Sequence, residues 1–260
     1  MSGLRWACLM YHEVPADAAS AGYFAVPRDR LAAQLDAIRA LGLSARSLED
    51  VVARPTGGAL ALTFDDGHAT HYWQVFPLLV ERRFTATFFV TSSWVGTPGH
   101  VTWRDLREMA AAGMSIQSHT AGHPFLSELD TRQVERELSE SKAAIESEIR
   151  RPCTSLALPG GDAPRGWRPA DYARLGYRYV ATSRWGPNSI SPSSQAGELV
   201  RRYTVRRETG LDTLRRQALG AAPAYDLEGL RQAALHGLRS TLGASRYARW
   251  RQRVLKALGR

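Results

Sequence analysis

The chain has 260 residues, 44% of them hydrophobic, and a formal net charge of +9 at pH 7. This length fits one large α/β domain or two small ones, and the composition is that of a globular protein. No stretch reaches the roughly 18 uninterrupted apolar residues of a membrane span. The first residues contain no small-residue cleavage site, so we expect a cytoplasmic protein. The two cysteines, Cys8 and Cys153, lack CxxC spacing, which predicts reduced thiols and no thiolate metal site.

Short apolar runs with β-prone residues alternate along the chain with segments of helical periodicity. The runs predict strands at 1–10, 43–48, 59–64, 85–90, 114–117, 155–158, 177–181 and 203–206. The periodic segments predict helices at 27–41, 73–80, 102–113 and 131–149, with Thr102 as an N-cap and a further short helix before residue 59. Strands separated by single helices imply a parallel sheet, and their number favours a barrel over an open sheet. We predict a barrel domain at 1–210 and a basic helical extension at 211–260.

Two adjacent carboxylates, Asp65 and Asp66, follow the predicted strand at 59–64. Neighbouring like charges resist ionising together, so such a pair indicates a cation, usually a metal ion, that neutralises one of them. The structural alternative is that one Asp caps the helix that begins near Thr70, which leaves the other without a role. In a parallel barrel this strand end lies on the rim that carries the chemistry.

Two histidines, His119 and His123, follow the predicted strand at 114–117. Histidines four apart lie on one face of a helical turn and can chelate one ion. Gly122 and Pro124 indicate a turn or a first helical turn rather than the middle of a helix. Alone the pair is equally compatible with surface histidines, but next to two aspartates a metal site is the better interpretation.

The TFDDG sequence at 63–67 and the HTxxH sequence at 119–123 resemble the motifs of polysaccharide deacetylases with a NodB-homology domain, the carbohydrate esterases of family four. The resemblance extends from about residue 8 to about residue 206. It implies an irregular (β/α)7 barrel, to which the helical extension is added. It also implies a hydrolase that removes N-acetyl groups from carbohydrate.

The resemblance assigns roles to particular residues. Asp66, His119 and His123 match the metal ligands, and Asp65 matches the general base that activates water. One divalent ion is implied, with zinc expected first and cobalt, nickel or iron(II) as alternatives. A backbone N–H in the turn at Pro159-Gly160-Gly161 would help to stabilise the oxyanion.

Two motifs depart from the usual family pattern. Where most members have an Arg two residues before the Pro of the third motif, this chain has Ala157. Arg165 is a candidate substitute, with solvated loop charge as the alternative. The late Leu-x-His motif, which normally supplies the general acid, is absent. His12, in Leu-Met-Tyr-His, instead resembles the early motif of the poly-N-acetylglucosamine deacetylase branch, which assigns it the acid role. A structural role for His12 is the alternative.

Three further residues are candidates for substrate contact. Pro159 and Gly160 are expected to line the acyl site. Trp185 resembles the tryptophan of the family that contacts the acetyl methyl group, although a core or rim aromatic would fit equally well. The expected partner is an N-acetylated glycan or a lipid-linked glycan precursor.

The extension carries much of the positive charge. Residues 225–260 contain eight basic residues against Asp226 and Glu228, and Tyr247, Trp250 and Val254 recur at helical spacing. A basic amphipathic helix can lie on an anionic membrane surface, or it can pack on the barrel with a solvated basic face. No recognised nucleic-acid motif accompanies the charge, so we expect no nucleic-acid partner.

Two other functions remain open at this level. A catalytically inactive carbohydrate-binding relative would account for Ala157 and for the absent late His. Two histidines and one carboxylate also suit a non-haem iron oxygenase, although those enzymes usually have all-β barrels. The predicted βα alternation therefore favours the hydrolase.

Overall fold

The computed structural model describes residues 5–17, 22–54, 59–189, 197–220, 243, 246–247, 249–250 and 253–254. Ten strands occur in this part of the chain: β1 (Arg5–Tyr11), β2 (Ser44–Arg46), β3 (Ala59–Phe64), β4 (Thr87–Val90), β5 (Ser115–Ser118), β6 (Ser155–Ala157), β7 (Tyr179–Ala181), β8 (Asn188–Ser189), β9 (Glu198–Val200) and β10 (Tyr203–Thr204). Its seven α-helices are α1 (Arg28–Ala40), α2 (Leu48–Ala53), α3 (Phe76–Arg82), α4 (Trp103–Ala111), α5 (Thr131–Ile149), α6 (Pro169–Arg174) and α7 (Leu211–Ala218).

Eight strands form a continuous parallel path in the order β10, β1, β3, β4, β5, β6, β7 and β9. β2 pairs in parallel with the first half of β3, and β8 pairs antiparallel with the start of β1. The two ends of the path, β9 and β10, follow each other in the chain and are joined only by Arg201 and Arg202. The sheet is therefore a nearly closed, irregular barrel, and the prediction of a parallel barrel is confirmed.

The barrel separates two hydrophobic clusters, because successive side chains of a strand point to opposite faces. Leu60, Leu62 and Phe64 of β3 belong to the larger cluster, which includes the buried faces of the helices. Ala61 between them belongs to the smaller cluster, whose members on other barrel strands include Ala157. This second cluster combines large side chains, Trp6 and Phe89, with small ones such as Ala61 and Ala157, which suits the narrow inside of a small barrel.

Helix boundaries follow the capping residues. Thr102 accepts a hydrogen bond from the Asp105 backbone, and the Asp105 side chain accepts one in return from the Thr102 N–H. Asp130 and Gln133 make the same reciprocal pair at the start of α5. The predicted helices at 102–113 and 131–149 are confirmed, since each capping box satisfies two backbone N–H groups of a first turn.

The strands at the end of the barrel are shorter than the sequence predicts. β7 begins at Tyr179 rather than at residue 177, because the Tyr177 N–H donates to the Tyr172 carbonyl of α6 at 3.1 Å and not to a neighbouring strand. β10 has only two residues rather than the predicted four.

α7 contacts α1 and β1, and its Leu214 is fully buried. The helix that follows residue 210 is therefore part of the outer layer of the barrel. Most of the predicted extension beyond it lies outside the described residues. Among the helices that the structure describes, none has the length and apolar character needed to cross a bilayer.

Candidate active site

The strand register brings the predicted residues to one rim of the barrel. Tyr11 of β1 is paired with Phe64 of β3, so His12 and Asp65 follow side by side. The Asp65 N–H donates to the Tyr11 carbonyl at 3.0 Å. His119 directly follows β5, and its N–H donates to the Val90 carbonyl at the end of β4 at 2.9 Å.

Asp66, His119 and His123 converge on one point. Nε2 of His119 lies 3.2 Å from Oδ1 of Asp66, and Nε2 of His123 lies 3.4 Å from the same oxygen. One ligand atom from each residue lies within 4.8 Å of the others. Bonds of about 2.0–2.1 Å to a tetrahedral ion place its ligand atoms about 3.3 Å apart, which is the spacing found here. The three residues predicted as metal ligands therefore fit a divalent ion.

Hydrogen bonding fixes which nitrogen of His119 faces Asp66. Its Nδ1 lies 2.8 Å from the Ala157 carbonyl, which can only accept, so Nδ1 carries a proton. In the neutral ring Nε2 is then unprotonated, and its lone pair is directed at a carboxylate oxygen of Asp66. Two lone pairs face each other at this distance only if a proton or a metal ion lies between them. A backbone carbonyl that orients a histidine in this way is the usual support of a metal ligand.

Electrostatics around the same residues agree with a cation site. Burial acts to raise the pKa of Asp66, but hydrogen bonds from three histidines hold the pKa well below its usual value. Burial acts to lower the pKa of His119, and the hydrogen bond with Asp66 together with both aspartate charges raises it overall. Asp66 is therefore ionised. Its negative charge stabilises a proton or a metal ion on the His119 imidazole.

The two histidines are not on a helical turn, contrary to one of the alternatives drawn from their spacing. Thr120 and His123 have φ values of 69° and 60°, and Asp66 has 78°. Non-glycine residues with positive φ are uncommon, and they persist where the surroundings hold a functional geometry in place. The left-handed turn folds His123 back, so that its ring lies 4.8 Å from that of His119.

Asp65 is held by an arginine that the sequence did not single out. Arg202 Nη1 and Nη2 donate to the two carboxylate oxygens of Asp65 at 2.7 and 2.8 Å. The Arg202 side chain also donates to the Thr63 hydroxyl at 3.2 Å and to the Thr182 carbonyl at 2.9 Å. Arg202 is 0% exposed and Asp65 2%. Burial acts to raise the pKa of Asp65, and the Arg202 charge is the main influence that keeps it below its ordinary value.

Arg202 fills the role that Ala157 leaves vacant. Arg165, the substitute considered from the sequence, does not take this role. Both Asp65 oxygens are bonded to Arg202, and Arg165 lines a different part of the surface. Arg202 lies at the seam between β9 and β10, 137 residues from Asp65. In the sequence, Arg202 is one of many arginines of a basic chain and precedes a short predicted strand. Nothing in its local sequence distinguishes it from a solvated surface arginine.

His12 lies on the rim, as predicted. Its ring is 5.2 Å from that of Phe24, and within the described chain its Nδ1 is buried without a hydrogen-bond partner. Burial lowers the pKa of His12, although the charges of Asp66 and Asp65 act in the opposite direction. The imidazole is therefore neutral in the resting protein near neutral pH. Its role as an acid stays a prediction.

His71 is a buried histidine that no sequence motif singled out. His71 is 1% exposed within a π-helical turn, His71–Val75, and its Nε2 lies 2.9 Å from the His12 carbonyl. This contact fixes the backbone of His12. Burial lowers the pKa of His71 to about 3, so its ring is neutral and Nε2 carries the proton.

Pro159, Gly160 and Trp185 occupy the positions that their strands predict. Pro159 and Gly160 begin a tight turn directly after β6 and its next residue Leu158, and Gly161 donates its N–H to the Leu158 carbonyl at 2.7 Å. The oxyanion donor, a backbone N–H of the turn at Pro159-Gly160-Gly161, stays a prediction. Trp185 is 8% exposed and packs edge-to-face on Tyr203 at 4.9 Å. Contact of these residues with substrate stays a prediction.

Aromatic rings enclose the candidate metal site on its outer side. Trp94 lies 5.0 Å from His123 and 5.1 Å from His100, measured between ring centroids. His100 stacks on His68 at 5.9 Å, and Nε2 of His68 lies 3.4 Å from Oδ2 of Asp66. The rings restrict access of water to Asp66, which strengthens electrostatic interactions there.

A family model described as polysaccharide deacetylase matches residues 53–180. The chain is 40% identical over 89 residues to a chitooligosaccharide deacetylase of Rhizobium leguminosarum bv. trifolii, a match that covers 33% of this chain and 39% of the relative. It is 28% identical over 134 residues to the poly-β-1,6-N-acetyl-D-glucosamine N-deacetylase of Escherichia coli K12, covering 43% of this chain and 20% of the relative. The chain thus spans less than half of the length of these curated relatives.

The fold is similar to that of a solved deacetylase, PplD of Streptococcus pyogenes, with a TM-score of 0.75 and 23% identity over 84% of this chain and 99% of that one. A de-N-acetylase from Aggregatibacter actinomycetemcomitans aligns with a TM-score of 0.71 and 22% identity over 82% and 99%. At these identities the likeness concerns the barrel alone. The family model and the sequence relatives show that the chain contains a polysaccharide deacetylase domain, which the model matches at residues 53–180.

Proposed function

We propose that this chain is a metal-dependent hydrolase that removes N-acetyl, or alternatively N-formyl, groups from an amino sugar in a bacterial glycan or glycan precursor. One observation carries the proposal: Asp66, His119 and His123 converge beside a separately held carboxylate, Asp65. The relatives named for chitooligosaccharide and poly-N-acetylglucosamine supply the first substrates to test.

Asp66, His119 and His123 would hold the metal ion. Two imidazoles and one carboxylate leave coordination positions open, as in catalytic rather than structural sites. Once bound, a divalent ion polarises an acyl carbonyl and makes water more acidic. Zinc is the ion that we propose, with cobalt, nickel or iron(II) as the alternatives to compare.

Asp65 would act as the general base. The bidentate pair with Arg202 fixes the orientation of the carboxylate and keeps it ionised at neutral pH, so it is ready to accept a proton. Because Asp65 is bonded to Arg202 rather than to the histidines, its task is distinct from that of Asp66. The arginine supports an active enzyme despite Ala157, because it supplies the partner of Asp65 that residue 157 does not.

Two other groups complete the proposed reaction. A backbone N–H of the turn at Pro159-Gly160-Gly161 would stabilise negative charge on the acyl oxygen. His12, next to Asp65 on the rim, would give a proton to the departing amine. Since the resting imidazole is neutral, His12 must first take up that proton from solvent. Burial opposes this uptake, and the charges of Asp66 and Asp65 favour it.

The proposal is tested by acyl release. Purified protein is treated with a chelator, reloaded with each metal in turn, and assayed for acetate and formate from N-acetylchitooligosaccharides, poly-β-1,6-N-acetylglucosamine and lipid-linked N-acylated sugars. We expect release that disappears with the chelator, returns with metal, and is abolished in Asp65→Asn. Glycan binding without release from any substrate by the metal-loaded protein would instead identify an inactive carbohydrate-binding relative.

A further inference from the structure

A cleft of about 550 Å³ lies between the loop after β6, the start of α6 and the ends of β7 and β9. Its walls carry three arginines, Arg165, Arg168 and Arg184, and two aromatic residues, Trp167 and Tyr172. None of these residues has a part in the site described above. We propose that this cleft is a subsite for an acidic sugar, one that bears a carboxylate or a phosphate, in the glycan whose acyl group is hydrolysed.

The charge of the cleft is unbalanced. All three arginines are exposed, and within the described part of the chain no carboxylate lies within ion-pair distance of their guanidinium groups. One carboxylate, Asp162, also lines the cleft, and its Oδ2 accepts from the Ser127 N–H at 2.7 Å. Guanidinium groups bind carboxylate and phosphate oxygens through two parallel hydrogen bonds, which is why an anion is the ligand inferred.

The aromatic residues supply a surface for the sugar ring. Trp167 is half-buried, and its ring packs against Tyr172 with centroids 5.2 Å apart. Burial is the main reason that the pKa of Tyr172 is raised, so its hydroxyl stays neutral and adds no repulsive charge. A partly exposed indole that lines the cleft next to cationic groups has the composition expected of a site for a charged carbohydrate.

The cleft is connected to the catalytic residues through the barrel wall. Both backbone polar groups of Arg184 are hydrogen-bonded. Its N–H donates to the Thr182 hydroxyl at 3.2 Å, and its carbonyl accepts from the Arg202 N–H at 2.9 Å. Thr182 also accepts from the Arg202 side chain. Leu158, which lines the cleft, follows the Ala157 that orients His119. Leu158 and Thr182, which line the cleft, directly follow β6 and β7, as His119 follows β5. The cleft thus lies on the same rim of the barrel as the metal site, where a neighbouring sugar of the same glycan is expected.

This inference rests on the proposed function for the position of the acyl group, but binding tests it without turnover. The probes are a hyaluronan tetrasaccharide, which alternates N-acetylglucosamine with a uronic acid, N-acetylglucosamine 1-phosphate, and neutral N-acetylchitotetraose of the same length as the first. Affinities are measured by calorimetry at two salt concentrations. We expect an acidic probe to bind the unmodified protein more tightly than chitotetraose, with an affinity that salt weakens.

The decisive variant is Arg168→Gln combined with Arg184→Gln. Losing charged hydrogen bonds should weaken binding of the acidic probe by about tenfold or more, with chitotetraose binding changed less than twofold. Arg39→Gln, an exposed arginine on α1, is the matched control and should change neither. Thermal melting confirms that the variants remain folded.

The acidic probe that loses affinity identifies the anion as carboxylate or phosphate. Equal binding of acidic and neutral probes by the unmodified protein would overturn the proposal, as would unchanged acidic binding in the double variant. Acyl release is measured separately on the same proteins. Its absence from every substrate would refute the hydrolase while leaving the binding result intact.

Discussion

Arg202 and Asp65 form a bidentate ion pair inside the barrel, with both oxygen–nitrogen distances below 3 Å and neither residue more than 2% exposed. The pair links Arg202, which lies between β9 and β10, to Asp65, the residue that would activate water. Stability and catalysis therefore depend on one contact, and a substitution there should affect both.

Arg202→Gln should destabilise the protein by about 3–5 kcal/mol, because it leaves the Asp65 carboxylate buried and uncompensated. Denaturant unfolding measures the loss. Arg201→Gln, an exposed neighbour, is the control and should change stability by no more than about 0.5 kcal/mol. Adding Asp65→Asn to Arg202→Gln should recover part of the stability but no turnover. An Arg202→Gln protein of unchanged stability would show that the pair is not maintained.

Metal binding and turnover should separate at the two adjacent aspartates. Asp66→Asn and His119→Ala should lose the ion, since each removes a proposed ligand. Asp65→Asn should keep the ion and lose acyl release, because its proposed task is proton transfer. Metal analysis of the purified variants distinguishes the two groups. Equal metal loss in Asp65→Asn and Asp66→Asn would show that the two aspartates do not have separate roles and would refute the mechanism.

Substituting His12 should discriminate between leaving groups. His12→Gln should lower amide hydrolysis by roughly 10²–10⁴-fold, the usual contribution of a positioned acid. An activated acetyl ester, whose leaving group needs no proton, should be affected much less, and metal content should be unchanged. If both substrates lose activity equally, or neither does, His12 has a structural role only.

His71 should make the protein sensitive to acid. Its pKa is about 3 in the folded protein, while an unfolded histidine titrates near 6.5, so the unfolded chain binds more protons between these values. Its contribution is fully present above pH 6.5 and is lost as pH falls towards 3. At pH 4.5 the loss should reach roughly 2–3 kcal/mol relative to pH 7.5.

His71→Gln keeps a donor for the His12 carbonyl but does not titrate. Its denaturant midpoint should therefore fall less between pH 7.5 and pH 4.5 than that of the unmodified protein. His100→Gln, a half-buried ring, should alter the pH dependence far less. The same pH dependence in His71→Gln and the unmodified protein would mean that His71 is not the buried neutral group.

The sequence of the extension leads to a prediction about membranes. We propose that it holds the protein on the inner face of the membrane, in the cytoplasm, through its basic residues. Deleting 245–260 should reduce binding to vesicles that contain anionic lipid, and salt should weaken binding of the intact chain. Unfolding of the truncated protein would favour a helix packed on the barrel. No binding by the intact protein would remove the membrane proposal.

The sequence by itself determined the repeat of strands and helices and the three candidate ligands. These features are local: a β-prone run, a capping residue or a DDG sequence shows the same pattern wherever the chain goes next. Once the strands are parallel, their C-terminal ends share one rim, so residues that follow strands can be expected to meet. His12, Asp65 and His119 could be placed together on this ground alone.

Only the tertiary structure decided what supports those residues. Arg202 reaches Asp65 because the barrel brings its first and last strands together, and His71 reaches the His12 carbonyl from a π-helical turn. The Ala157 carbonyl orients His119 whatever side chain residue 157 carries. Such contacts join residues far apart in sequence or use backbone atoms, so residue types and spacing cannot reveal them. They depend on strand order and register, which the packing of the whole barrel fixes.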